Sequence, residues 1–162
     1  IGYENRLLRK EDFNDDKKDA GDIGAGHTVT ALYELVPAGT TVTTPGVDPL
    51  KYQQPGTLSP AAASSDMLTL KLRYKEPEGQ DSKLITVPVT DPGIGYAQAS
   101  ADFKFASAVA AFGMVLRDSP HKGTASLEAA TELAAEGLGP DREGYRAEFL
   151  GLVKKAERLL QK

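Results

Sequence analysis

The residues with the clearest potential for chemistry form an acidic run near the amino terminus. Asp12, Asn14 and Asp16 have the spacing of the first three ligands in an EF-hand calcium loop. That motif also requires a glycine at its sixth position and a bidentate glutamate at its twelfth. This chain has Lys17 and Ile23 at those two positions, and no helical pattern flanks the run. The sequence therefore excludes an EF-hand.

A cation site of another kind is a hypothesis that the acidic loop, residues 11–22, leaves open. Carboxylate oxygens are the ligands that calcium and magnesium prefer. The competing interpretation is a solvated loop, because Lys17 and Lys18 lie among the aspartates and neutralise part of their charge. The candidate cation ligands are Asp12, Asp15, Asp16, Asp19 and Asp22.

Residues 21–28, with the sequence GDIGAGHT, match the spacing of a phosphate-binding P-loop at every position except one. His27 replaces the lysine that supplies a permanent positive charge to the phosphates. A P-loop also connects a buried strand to a helix, whereas this run follows an acidic loop and precedes a strand-like pattern. The sequence therefore excludes a nucleotide site and predicts that the glycines form a tight turn.

Nucleophilic catalysis has few candidate residues. His27 and His121 are the only histidines, and neither belongs to a recognisable triad or metal-ligand spacing. Ser59, Ser64 and Ser65 lie in loop-like composition without a nucleophile-elbow motif. A hydrolase with dispersed residues stays an alternative, and it requires His27 to lie in a pocket beside a serine and a carboxylate.

Composition excludes several classes of function. The 162 residues suffice for one ordinary domain, and a net charge of −4 without a basic cluster argues against nucleic-acid binding. The absence of cysteine excludes disulfides, thiolate catalysis and cysteine-bound metals. No apolar run approaches the roughly 20 residues that a membrane-spanning helix needs. We expect no cofactor.

The first residue, Ile1, is not a methionine and begins a strand-like pattern, so we expect a piece of a longer protein. Strand material before Ile1 would then be missing. A sheet edge left exposed in this way tends to pair with another chain. The sequence therefore predicts a tendency to form a homodimer or to exchange strands.

Hydrophobic alternation predicts strands in the first part of the chain. Residues 28–36 alternate apolar and polar side chains, as do residues 67–74 and 83–89. The last two segments predict an antiparallel hairpin with one solvated face, and Pro88 predicts an edge position for its second strand. For the Pro- and Gly-rich segment 37–65, the alternatives are a short edge strand near residues 40–44 and partial disorder.

Helical periodicity replaces this alternation after residue 96. Ser100, Ser126 and Asp141 are suitable N-caps for three helices, and Gly137 is a suitable C-terminal residue for the second. The expected buried side of the first helix consists of Phe105, Val109, Phe112 and Leu116. The expected buried side of the third consists of Tyr145, Phe149, Leu152, Ala156 and Leu159 or Leu160.

Strands followed by helices, without alternation, predict an α+β fold. We expect an antiparallel sheet or partial β-sandwich over residues 1–90, followed by three C-terminal helices. The chain is expected to be a single domain, 1–162, with a β-rich part at 1–96 and a helical part at 97–162.

Four segments together resemble one bacterial family. They are IGYENR (1–6), EDFNDDKKDAGDIGAGHTVTALYELVP (11–37), LKLRYKEP (70–77) and FASAVAAFGMVLRDS (105–119). The family is the uncharacterised C-terminal domain of bacterial proteins that contain a von Willebrand factor type A domain. The resemblance covers most of the chain and is densest in its opening stretch.

The resemblance implies a longer parent protein of the cell envelope. Such a parent has an export or lipoprotein signal, then the type A domain, and then this region. The metal site of a type A domain is built around an Asp-x-Ser-x-Ser sequence, which does not occur here. The resemblance therefore implies a non-enzymatic structural or interaction module beside the type A domain. A cation-dependent binding or adhesion module that uses the acidic loop is the alternative.

Overall fold

The structure is a computed structural model that describes residues 9–18, 21–37, 40 and 57–160. Its architecture is the predicted α+β arrangement, in which a two-stranded antiparallel sheet precedes three helices. The elements are β1 (Asp66–Tyr74), β2 (Lys83–Thr90), α1 (Ala101–Leu116), α2 (Leu127–Glu136) and α3 (Tyr145–Leu160). Short 3-10 turns cover Lys10–Asn14, Pro60–Ala63 and Tyr96–Gln98.

The hairpin of β1 and β2 confirms both the predicted strand pair and its two unlike faces. Its register places Leu70 opposite Val87 and Leu72 opposite Ile85. Because side chains alternate along a strand, these four share one face. The other face carries the polar residues of β1, with Lys71 opposite Thr86.

The predicted strand at residues 28–36 is wrong, since the structure has no strand there. The side chain of Val29 is 75% exposed and that of Tyr33 is 65% exposed. Alternation shows only that a segment suits a half-buried sheet, and a strand forms only where a partner edge is supplied. Of the predicted edge strand at 40–44, only Thr40 lies within the described residues, and residues 1–8 lie outside them.

All three helix starts follow the predicted caps. The hydroxyl of Ser100 accepts a hydrogen bond from the N–H of Phe103, and the hydroxyl of Ser126 accepts one from Ala129, both at 3.1 Å. Asp141 lies four residues before α3 begins at Tyr145, yet its carboxylate also accepts two N–H groups of the first turn. Its donors are Arg146 at 3.0 Å and Ala147 at 2.9 Å. No helix within the described ranges is long and apolar enough to cross a membrane.

The core lies among the three helices, which carry every buried apolar side chain of the described residues. Phe149 packs α3 against α1, since its ring makes edge contacts with Phe105 and Phe112 at centroid distances of 5.3 Å and 5.5 Å. The core cluster consists of Ala111, Phe112, Leu127, Ala130 and Val153. The hairpin contributes no buried side chain, so its apolar face is separate from this core.

The predicted buried sides of α1 and α3 are partly wrong. In α1, Phe112 is buried, but Val109 and Leu116 are 43% and 53% exposed. The small side chains of Ala108 and Ala111 are buried in their place. Helical spacing identifies an apolar stripe, whereas the direction of a neighbouring helix decides which side of that stripe is covered.

The buried side of α3 also differs from the predicted one. Val153 is completely buried, although it was not among the expected core residues. Phe149 and Ala156 pack against the core as expected. The remaining members of the expected stripe are exposed, and they are Tyr145, Leu152, Leu159 and Leu160.

Gly137 follows the end of α2 as predicted, but its backbone is not left-handed. Its φ is −88°, which other residues adopt freely. A Cβ at this position would lie 2.5 Å from the backbone nitrogen of Phe105 and 2.8 Å from its Cα. The glycine therefore permits close approach of the end of α2 to the backbone of α1.

Candidate functional site

The acidic loop lies against the turn end of the hairpin, and Arg73 of β1 holds it there. The half-buried guanidinium of Arg73 donates to Asp16 at 2.9 Å and to Asn14 at 3.0 Å. Its Nε also donates to the hydroxyl of Ser82, at 2.7 Å, on the other side of the turn. One side chain therefore joins the loop to both ends of the hairpin turn.

Asp16 is the centre of this junction. Its carboxylate accepts hydrogen bonds from the hydroxyl of Ser82 and from the Ser82 N–H at 3.3 Å. Lys75 donates to its backbone carbonyl. The bonds from Ser82 lower the pKa of the Asp16 carboxyl below its usual value, and the charge of Arg73 acts in the same direction against desolvation. The carboxyl group of Asp16 is therefore held ionised, and its oxygens already accept hydrogen bonds from Ser82 and Arg73.

The other candidate cation ligands do not converge on Asp16. Asp12 lies 3.9 Å from the ammonium of Lys18, and the carboxylate of Asp15 accepts the N–H of Lys17 at 3.0 Å. Asp22 is exposed, and Asp19 lies outside the described residues. Over the described parts of the chain, no three acidic or histidine side chains are grouped as metal ligands would be.

Sequence reasoning missed Arg73 and Ser82 as partners of the acidic loop. In the sequence, Arg73 is one of the polar residues of the alternating segment 67–74, and Ser82 lies in the connection between the two predicted strands. Their contact with Asp16 spans 57 and 66 positions along the chain. No local pattern encodes a pairing at that separation, since it depends on how the loop returns to the hairpin.

The glycine cluster forms the predicted tight turn. The N–H of His27 donates to the carbonyl of Gly24 at 3.1 Å, and Gly26 has a φ of +78°, which glycine adopts without strain. The ring of His27 is exposed, and its Nδ1 contacts the carbonyl oxygen of Ala25 at 3.2 Å. Within the described part of the chain, no hydrogen bond joins this ring to a serine or a carboxylate. The hydrolase alternative therefore gains no geometric support.

Two polar clusters on the helices have structural roles. Lys104 donates to Glu136 at 2.9 Å, as does the hydroxyl of Tyr96, and the ammonium lies 4.8 Å from the Tyr96 ring centre. The bond from Lys104 is the main cause that lowers the pKa of Glu136. Because the cluster joins the turn before α1 to the end of α2, it stabilises the helical arrangement.

Arg146 connects all three helices beside an open depression between the starts of α1 and α3. Its guanidinium donates to the carbonyl of Gly137 at 2.7 Å, pairs with Asp102 and lies 4.9 Å from the ring centre of Phe105. These contacts tie the starts of α1 and α3 to the end of α2, so the role that they indicate for Arg146 is structural.

The apolar face of the hairpin, formed by Leu70, Leu72, Ile85 and Val87, is largely exposed. Its members range from 38% exposed at Leu70 to 48% exposed at Leu72. Ile85 and Val87, on the facing strand, are 46% and 43% exposed. A two-stranded sheet is only marginally stable in water unless its apolar face packs against something. A contiguous apolar surface of this kind is a candidate interaction site.

Comparisons with known proteins agree on one family. The family model described as "Uncharacterized protein YfbK, C-terminal" matches residues 1–159. The chain is 39% identical over 157 residues to the "Uncharacterized protein YfbK" of Escherichia coli strain K12. The match covers 97% of this chain and 26% of that relative, so the chain spans about a quarter of the relative's length. No solved structure matches the chain.

Proposed function

The chain belongs to the family of YfbK C-terminal domains, and we propose that it is a non-enzymatic interaction module that accompanies a von Willebrand factor type A domain. The resemblance to type A proteins supports a cell-envelope location for the parent protein. The relative's length supports a neighbour in the same polypeptide, because three quarters of that protein lie outside the matched region. The adjacent type A domain is the partner we propose.

The exposed apolar face of the hairpin carries this proposal. It combines regular structure with contiguous apolar side chains, of which Leu70, Leu72, Ile85 and Val87 are each more than a third exposed. The polar face, in contrast, receives the acidic loop through Arg73. We propose that the part of the polypeptide containing the type A domain covers the apolar face.

The size of the face favours a partner that is covalently attached. A strand of nine residues extends about 30 Å, and two strands span about 10 Å, which gives about 300 Å² on each partner. Stable association of free proteins requires about 800 Å² on each partner. A tethered partner needs less, because attachment raises its effective concentration. The face is therefore suited to contact within one polypeptide.

Cysteine labelling tests this proposal, because the chain itself has no cysteine. We would introduce Leu72→Cys on the apolar face and, as a matched control, Thr86→Cys on the polar face. The rate of maleimide labelling is measured in this chain alone and in the longer protein that includes the type A domain. We expect labelling at position 72 to slow at least tenfold in the longer protein, with little change at position 86. Equal rates at position 72 in both proteins would contradict the proposal.

A further inference from the structure

The helical part of the chain carries a second exposed apolar surface, which begins with a stripe along α3. Tyr145, Leu152 and Leu159 recur at intervals of seven residues, so they lie on one side of that helix. They are 72%, 52% and 63% exposed. Val153, in contrast, is buried against residues of α2 in the core. Apolar residues at seven-residue spacing are typical of a helix that packs against a neighbour on that side.

α1 and α3 lie side by side and run in the same direction. Arg146, near the start of α3, pairs with Asp102 in the first turn of α1. The ring of Phe149 contacts two rings of α1, those of Phe105 and Phe112. These rings lie between the two helices, and α2 packs on one side of them to form the buried core. The other side is the one that carries the exposed surface.

Two exposed residues of α1 extend the α3 stripe. Val109 and Leu116, which are 43% and 53% exposed, each follow one of the α1 phenylalanines by four positions. That spacing turns them about 40° around α1. Leu152 follows Phe149 by three positions, which turns it about 60° in the opposite sense around α3. Because the two helices run in the same direction, both rotations lead to the side away from α2, and the apolar residues of both helices share one surface.

The charges beside the α3 stripe are complementary to those of a second copy of the chain. Glu148 and Lys155 are exposed, lie seven residues apart and border the stripe on its side away from α1. If two copies of α3 pack in antiparallel directions, with Leu152 facing its counterpart, Glu148 lies opposite Lys155 of the second copy. The two-fold symmetry of such a pair repeats this contact, so each copy contributes both charges. We propose that two copies of this chain associate through the surface of α1 and α3, with these helices antiparallel to their counterparts.

The size of the surface suits a dimer that dissociates on dilution. A 16-residue helix is about 24 Å long and about 10 Å wide, so α1 and α3 together present about 500 Å² on each copy. The total of about 1,000 Å² lies at the lower limit of a specific interface. Contact through α3 alone would give only half of this area, so the dimer requires α1 as well. We therefore expect a monomer in dilute solution and a dimer at high concentration.

Charge reversal tests this arrangement in the chain itself. In sedimentation equilibrium, we expect the mass to rise with concentration from 17.2 kDa toward twice that value. Glu148→Lys should weaken the dimer about tenfold or more, because two lysines then face each other, and adding Lys155→Glu should restore it. The control Glu132→Lys makes the same charge change at an exposed position of α2, outside this surface. A mass that stays at 17.2 kDa at millimolar concentration, or equal weakening by both single variants, would overturn the proposal.

A disulfide locates the two-fold axis of the dimer. The chain has no cysteine, so one introduced cysteine can pair only with its counterpart in another copy. Leu152 faces its own counterpart in the proposed dimer, within the reach of a disulfide. We expect mild oxidation to link Leu152→Cys chains about ten times faster than chains of the exposed control Glu132→Cys. Equal rates would contradict the proposal.

Maleimide labelling of Leu152→Cys in dilute solution distinguishes a second copy from another occupant of the surface. We expect rapid labelling, because the monomer leaves this position exposed. Slow labelling would mean that another part of the same chain covers the surface, and the dimer would then be wrong. Since neither cysteine experiment involves the hairpin, the results are independent of the contact proposed for its apolar face.

Discussion

Arg73 donates a hydrogen bond from Nη2 to the Oδ1 of Asp16 at 2.9 Å, although 57 positions separate them in the chain. This contact fastens an acidic loop, which otherwise resembles an incomplete calcium site, to the polar face of a hairpin. The arginine supplies the positive charge that a cation would supply in a metal site. The loop therefore acts as a structural connection in this fold, and the opposite, apolar face stays available for partners.

The Asp16 junction is expected to open in acid. Hydrogen bonds from Ser82 and the charge of Arg73 lower the folded-state pKa of Asp16. The stability that the group contributes is therefore present above the unfolded pKa of about 3.9, and it is lost as pH falls through the lower folded value. In an NMR titration, the Ser82 amide resonance should move only below about pH 4.

Asp16→Asn is the variant that isolates this junction. It should displace the Ser82 resonance already at neutral pH and remove its acid titration. Asp15→Asn is a matched control, because the carboxylate of Asp15 accepts the N–H of Lys17 two residues away. A Ser82 resonance that titrates alike in wild type and Asp16→Asn would contradict the assignment.

Calcium and magnesium are not expected to bind the acidic loop. The carboxylate of Asp16 is already occupied by Arg73 and Ser82, and Asp12 lies near Lys18. We therefore expect no heat in calorimetry and no thermal shift at millimolar concentrations of either cation. Saturable heat that disappears in Asp12→Asn would instead support the cation-dependent alternative.

Replacing each of two glycines in the helical part by alanine should change the free energy of unfolding in opposite directions. Gly137→Ala places a Cβ within 2.8 Å of Phe105 backbone atoms, so we expect a loss of about 1 to 3 kcal/mol in the free energy of unfolding. Gly151 lies within α3 with open space around it. Gly151→Ala should stabilise the protein by roughly 0.5 to 1 kcal/mol, because alanine favours a helix. Urea unfolding followed by circular dichroism measures both, and equal effects would be inconsistent with the close helix approach.

Adjacent residues of α3 distinguish the observed core from the one that sequence spacing predicts. Val153 is completely buried, whereas Leu152 is 52% exposed. Val153→Ala should reduce the free energy of unfolding by about 2 kcal/mol, from lost burial and the cavity that remains. Leu152→Ala, which removes more atoms, should change it by less than about 0.5 kcal/mol. The reverse order, measured in the same urea experiment, would mean that α3 is rotated relative to this description.

Local features of the fold follow from the sequence because short-range physics determines them. Ser100, Ser126 and Asp141 cap helices through hydrogen bonds to nearby N–H groups. The alternation of β1 and β2 predicts the hairpin, since its partner strand follows in the chain. The glycine turn before His27 depends on only four residues. The family resemblance rests on such local segments as well.

Tertiary structure decided everything that depends on distant neighbours. The sequence showed that residues 28–36 suit a strand, but whether a strand forms depends on an edge that lies elsewhere. It showed apolar stripes on α1 and α3, but the helix positions determined that Val153 is buried and Leu152 is not. Asp16 was one of five equivalent acidic candidates until the fold brought Arg73 to it. Hydrogen bonds between residues that are close in the sequence are encoded locally. Burial, and pairing between segments that are far apart in the sequence, depend on the path of the whole chain.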